Sequence, residues 1–108
     1  PLAEDVTVAD VAADLGYPLL IVARAGLGTV NHTLLTVAVA RSRGLAIAGV
    51  LLNQIDKPEP EAATNAAMIE DYGNVPVLGR LTPHGPLPAG GYWGELLKAS
   101  ENHRQPDA

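Results

Sequence analysis

Apolar and polar residues divide the chain into short apolar runs and longer segments of helical period. The runs Leu19–Ala23, Ala46–Leu52 and Val75–Gly79 have the length of β-strands, and the first two are apolar enough to predict strands buried on both faces. Pro76 indicates that the third strand lies at an edge or is only beginning there. Strands that alternate with helices predict right-handed crossovers and a parallel sheet.

The helices are predicted from apolar spacing and from residues typical of helix ends. The first predicted helix follows Thr7, and the other three cover Val30–Arg43, Glu61–Tyr72 and Tyr92–Ser100. Thr7 and Asp10 have the spacing of a capping box with Asp in place of Glu, and Thr29 is the expected N-cap of the second helix. Gly16 and Gly73 are typical of residues that end helices. Gln54–Pro60 and Thr82–Gly91 are predicted loops.

The length and the first element predict a partial domain. The 108 residues suffice for one small domain, and the chain starts on a helix as though a strand had preceded it. We therefore expect a partial α/β domain over residues 1–100, with about three strands, and a polar tail over residues 101–108.

Composition narrows the classes of partner. Hydrophobic residues make up 47% of the chain, nearly all of them aliphatic, which suits helices packed on a buried sheet. The net charge of −5, with scattered basic residues, argues against a nucleic-acid surface and against binding to anionic membranes. The absence of cysteine excludes disulfides and thiolate metal sites. Because no apolar run approaches membrane-spanning length, a cytoplasmic protein is expected.

The glycine-rich segment Gly26–Thr33 is the leading candidate site. Its two glycines allow the backbone to approach a ligand closely, and the first amides of the following helix favour an anion. Thr29, Asn31 and Thr33 add neutral donors. A third glycine is missing where Asn31 stands, and no lysine is present, so neither the dinucleotide fingerprint nor a phosphate-binding P-loop is met. The alternative is a tight strand-to-helix connection with ordinary capping.

Three further positions have both a functional and a structural interpretation. Asn53 ends a predicted strand, where its amide is able to bind a purine edge or to make a local turn. Arg24 ends the first strand within reach of an anion at the neighbouring turn, yet an exposed arginine is common there. The segment Pro83–Pro86 either walls a flat ring or is only a rigid loop. His32 is expected on a helix surface or in the core, and no paired carboxylates or metal-binding histidines are apparent.

Several segments together resemble dethiobiotin synthetase. The resemblance is carried by Leu20–Thr36, with its Gly-Leu-Gly-Thr-Val-Asn-His-Thr run, and by Arg43–Leu45, Ala48–Asn53 and Val75–Leu81. It covers roughly residues 1 to 83 and corresponds to the carboxyl-terminal half of the family's domain. The resemblance implies a three-layer α/β/α parallel sheet of the P-loop NTPase type.

The resemblance also implies a ligase of biotin biosynthesis. Members of that family are homodimers that use ATP, Mg²⁺ and CO2 to close a cyclic urea on 7,8-diaminopelargonic acid. Residues that match the family's substrate-binding positions are Gly28, Thr29, Asn31 and Asn65, and those that match its ATP-binding positions are Asn53, Leu81 and Pro83. The turn would hold the substrate's carboxylate across the dimer interface. Leu81-Thr82-Pro83 departs from the family's usual Leu-Pro pattern.

Other parts of the family's machinery have no counterpart in this sequence. The phosphate-binding loop with its lysine and the acidic metal ligands are not found, so we expect no catalytic residue, no metal ligand and no activity from the chain alone. Two alternatives remain: a non-catalytic binding or dimerisation module of the same ancestry, and a relative such as a cobyrinate amidase or a partitioning-type ATPase. Asn31-His32-Thr33 favours dethiobiotin synthetase over the latter.

Overall fold

The computed structural model describes residues 2–54, 62–83 and 85. Its helices are α1 (Val8–Leu15), α2 (Thr29–Ser42) and α3 (Ala62–Gly73), and its strands are β1 (Leu19–Arg24), β2 (Ile47–Asn53) and β3 (Val77–Leu81). The predicted helix Tyr92–Ser100, the polar tail and most of both predicted loops lie outside the described residues. Within the described ranges, no helix is long and apolar enough to cross a membrane.

The three strands form one parallel sheet in the order β1-β2-β3. In its central row Ile21 pairs with Val50, which pairs with Val77. The pairing shifts register between Val50 and Leu51, so β3 has one extra residue at that point. The predicted parallel α/β fold with three strands is confirmed.

Helices α2 and α3 pack against each other and cover one face of the sheet. The core contains Val37 from α2, Ile69 from α3, and Val50 and Leu52 from β2, together with Val75 from the segment before β3. Their side chains are almost completely buried, and this burial is the main term that stabilises the fold. Helix α2 connects β1 to β2, and α3 connects β2 to β3, so the chain moves in one direction across the sheet. Because such connections are right-handed, both helices lie on the same face.

Arg41, near the end of α2, forms hydrogen bonds with the end of α3. Its guanidinium donates to the carbonyl oxygens of Gly73 and Asn74, the second at 2.7 Å. These carbonyls follow the last turn of α3 and have no partner within that helix. A cation at a helix carboxyl end also matches the helix dipole. The sequence pattern contained no signal for this contact between distant residues.

Strand β1 is buried on one face only. Its residues alternate between half-buried and exposed, and Val22 retains 55% of its accessible surface. The prediction of burial on both faces is therefore wrong for β1 among the described residues, although it holds for Val50–Leu52 of β2. The difference arises because β1 is an edge strand covered by α2 on one side.

Helix α1 begins and ends as predicted. Thr7 Oγ1 accepts a hydrogen bond from the Asp10 amide at 3.3 Å, and the Thr7 amide donates to Asp10 Oδ2 at 2.7 Å, which completes the capping box. Gly16 ends the helix with a φ of 72°. Arg43 at the end of α2 donates to Asp10 Oδ1 at 2.5 Å. The Thr7 hydrogen bonds and then Arg43 lower the pKa of Asp10 to about 2.

Two predicted boundaries are wrong. Gly28, with a φ of 86°, is the N-cap of α2, and Thr29 is the first helical residue rather than the cap. Strand β3 begins at Val77 and not at Val75, because the Val75 side chain packs into the core of the helices. The Pro76 carbonyl accepts a hydrogen bond from the Val50 amide at 2.9 Å, so the proline stands directly before the strand.

Candidate functional site

The carboxyl ends of the three strands meet at one edge of the sheet, where open α/β folds bind ligands. Backbone hydrogen bonds hold the segments beyond these ends together. The Ala25 amide donates to the Asn53 carbonyl, and the Gln54 amide donates to the Leu81 carbonyl, both at 2.8 Å. The glycine turn after β1 therefore starts from a fixed position beside β2 and β3.

The turn Gly26–Gly28 leads into α2, whose first amides lie directly after it. Gly26 and Gly28 both have positive φ, at 144° and 86°, which a side chain would strain. The Thr29 amide donates to the Gly26 carbonyl at 3.2 Å and is therefore occupied. The amides of Val30 and Asn31 have no acceptor among the described residues. They lie at the positive end of a helix of 14 residues, which favours an anion.

The side chains of this segment divide between exposed and buried positions. Asn31 is exposed, whereas Thr29 and Thr33 are buried with 6% and 2% of their surface accessible. Of the three predicted side-chain donors, Asn31 is the accessible one in the described part of the chain, and a ligand-binding role for the three stays a prediction. The Thr33 hydroxyl has no hydrogen-bond partner among the described residues. Leu27, between the two glycines, is fully exposed.

Asn53 and Leu81 are neighbours at the same edge. The register pairs Arg24 with Asn53 and Asn53 with Leu81. Leu52 points into the core between the sheet and the helices, so Asn53, the next residue, lies on the opposite face. Asn53 and Leu81 are half-buried. The structure thus brings together two of the three residues that match ATP-binding positions.

The remaining candidates differ in their relation to the turn. Asn65 is half-buried near the start of α3, and no hydrogen bond joins it to the turn in the described part of the chain. Pro83 is exposed two residues after β3, and most of the predicted wall that follows it is outside the described residues. His32 is exposed on α2, as expected for a surface histidine, and its amide donates to the Gly28 carbonyl at 3.1 Å.

Gln54 is a buried residue of this edge that the sequence placed in a polar loop. It retains 8% of its surface, and its backbone extends the pairing between β2 and β3. The available signal was its position directly after an apolar strand. The described residues contain no group of three His, Cys, Asp or Glu side chains close enough to hold a metal ion.

A parallel α/β sheet with a glycine turn after the carboxyl end of a strand is typical of the P-loop NTPase class. The sequence profile of the AAA domain family matches residues 1–89 of the chain. The chain belongs to this family, as a member of its dethiobiotin synthetase group, which confirms the resemblance inferred from the sequence.

The relatives supporting this assignment are named ATP-dependent dethiobiotin synthetase BioD. The protein of Bacillus cereus (strain B4264) is 45% identical over 105 residues, which are 95% of this chain and 42% of the relative. That of Bacillus subtilis (strain 168) is 51% identical over 84 residues, or 77% of this chain and 36% of the relative. The chain thus spans less than half the length of the curated relatives it matches.

Proposed function

We propose that the chain is the part of an ATP-dependent dethiobiotin synthetase that binds the substrate's carboxylate and the adenine of ATP. The complete ligase would carboxylate 7,8-diaminopelargonic acid with CO2 and close the cyclic urea. The relatives' names support the reaction. The observation that carries the assignment to this chain is the pair of free amides at the start of α2.

A carboxylate suits these amides better than a phosphate does. The Val30 and Asn31 amides offer one donor to each carboxylate oxygen, and the exposed Asn31 side chain offers another. No lysine stands in the turn to balance the greater charge of a phosphate. Gly28 gives the ligand access to the backbone, and Thr29, the first residue of α2, is proposed as a further part of the substrate site. Asn65 is proposed as a further substrate contact on α3.

The adenine would be bound at the carboxyl end of β2. The Asn53 side chain both donates and accepts hydrogen bonds, which matches the edge of adenine, and Leu81 adds an apolar contact. Pro83 lies just beyond. ATP supplies the phosphoryl group that activates the carbamate, but the residues expected to bind phosphates and Mg²⁺ are not found in this sequence. We therefore propose that this chain binds and orients the substrate and the adenine of ATP. A second copy would complete the substrate site in a homodimer.

Substitution of the turn glycine tests the carboxylate site. Gly28→Val should weaken binding of diaminopelargonate about tenfold to a hundredfold, the effect of losing a charge-assisted hydrogen bond. Gly44→Val is the matched control because Gly44 also has a positive φ, at 73°, with no atom near its absent Cβ, and follows the other end of α2. Affinity is measured by NMR titration of the Val30 and Asn31 amides. Equal losses in both variants would refute the site.

Catalysis is tested by ATP- and bicarbonate-dependent formation of dethiobiotin. We expect no product from the chain alone, and product when the amino-terminal part of a curated relative is supplied with it. Turnover by the 108 residues alone would contradict the proposed division of the site.

A further inference from the structure

Three side chains form a row across the carboxyl end of the sheet. Arg24 of β1 pairs in register with Asn53 of β2, which pairs with Leu81 of β3. Residues in register on parallel strands project from the same face, and this row lies on the face opposite α2 and α3. One row earlier, Gly79 has no side chain and Leu51 is buried. On its own face, the row is therefore preceded along the strands by an apolar side chain and a glycine.

Arg24 differs from the arginines that the fold uses. Arg41 donates to the carbonyls at the end of α3, and Arg43 is paired with Asp10. Arg24 is exposed and has no hydrogen bond or ion pair with any residue in the described ranges. A guanidinium without an acidic partner, in a chain of net charge −5, is available to a ligand.

We infer that Arg24 stacks on the purine base whose edge Asn53 binds, with Leu81 against the other face of the base. Neighbouring strands are about 4.8 Å apart, so a ring placed above Asn53 lies within about 6 Å of a guanidinium on one side and an aliphatic side chain on the other. This distance is the range of a cation–π contact. The inference rests on the proposed adenine site and adds to it a positioning residue for the base.

Adenosine, which has no phosphate, is the probe that isolates this contact. Arg24→Met keeps an unbranched apolar stem and removes the planar cation beyond it, and it should weaken adenosine binding about threefold to tenfold. Arg80→Met is the matched control, because Arg80 is exposed on β3 but pairs with Leu52 in the adjacent row on the other face. The control should change affinity less than about twofold. Binding is followed by NMR titration of the Asn53 side-chain amide.

The outcomes separate this inference from the proposed function. Adenosine and ATP should lose the same factor in Arg24→Met, and the Arg24 Nε–H resonance should shift when adenosine binds. A loss seen with ATP and not with adenosine would mean a phosphate contact and would overturn stacking. Unchanged adenosine binding by Arg24→Met would overturn the role of Arg24 alone. If the wild-type chain does not bind adenosine, the proposed adenine site fails, and the inference fails with it.

Discussion

Replacing Thr33 by valine is expected to stabilise the chain. The Thr33 hydroxyl is buried, with 2% of the residue accessible, and has no partner among the described residues. A buried hydroxyl without a partner costs about 1–3 kcal/mol, whereas valine has nearly the same shape and helix propensity. We expect the free energy of unfolding to rise by about 1–2 kcal/mol, which raises Tm by about 4–8 °C for each kcal/mol in a domain of this size.

Thr36 provides the matched control on the same helix. It is exposed, and its hydroxyl donates to the His32 carbonyl at 2.9 Å. Thr36→Val should change the free energy of unfolding by less than about 0.5 kcal/mol. Both variants are compared with the wild-type chain by urea unfolding followed by far-UV circular dichroism. If Thr33→Val lowers stability while Thr36→Val does not, the Thr33 hydroxyl has an acceptor and the reasoning is refuted.

Two further predictions concern β2 and the start of α1. A Cβ at Gly49 would lie 2.6 Å from Leu78 Cγ, so Gly49→Ala should cost about 1–3 kcal/mol in urea unfolding. The loss should be smaller when Gly49→Ala is made in a Leu78→Ala background, which lacks the Cγ atom, and equal losses in both backgrounds would contradict the clash. Thr7→Ala removes the hydroxyl but keeps the backbone amide at that position, which is the larger cause, so the pKa of Asp10 should rise part of the way from about 2 toward 3.8, measured by NMR titration with Arg43→Met for comparison. Because folding lowers this pKa, the carboxylate's contribution to stability is present above pH 3.8 and is lost as the pH falls toward 2. An unchanged pKa in Thr7→Ala would contradict the role of the cap.

Local chemistry predicted most of the fold. The Thr7 capping box and the left-handed Gly16 depend on residues a few positions apart, so the sequence contains the whole signal. The strand-and-helix alternation likewise follows from the spacing of apolar residues. The start of β3 depends on distant contacts instead, because Val75 is drawn into the core beside Val37 and Ile69. No property of the segment around Val75 alone distinguishes that position from a strand.

An error of one residue in the predicted start of α2 changes which side chains are expected to face a ligand. Residues in an α-helix are about 100° apart around its axis, so a change of start reassigns the side chains that a ligand meets. With Gly28 as the N-cap, Thr29 and Thr33 lie on one buried face, four residues apart, and Asn31 faces outward. Within α2, the first amides without an acceptor among the described residues are those of Val30 and Asn31, whereas the Thr29 amide is occupied. In the proposed carboxylate site the donors are therefore mainly backbone amides, which the sequence indicates through the two glycines and not through the hydroxyls beside them.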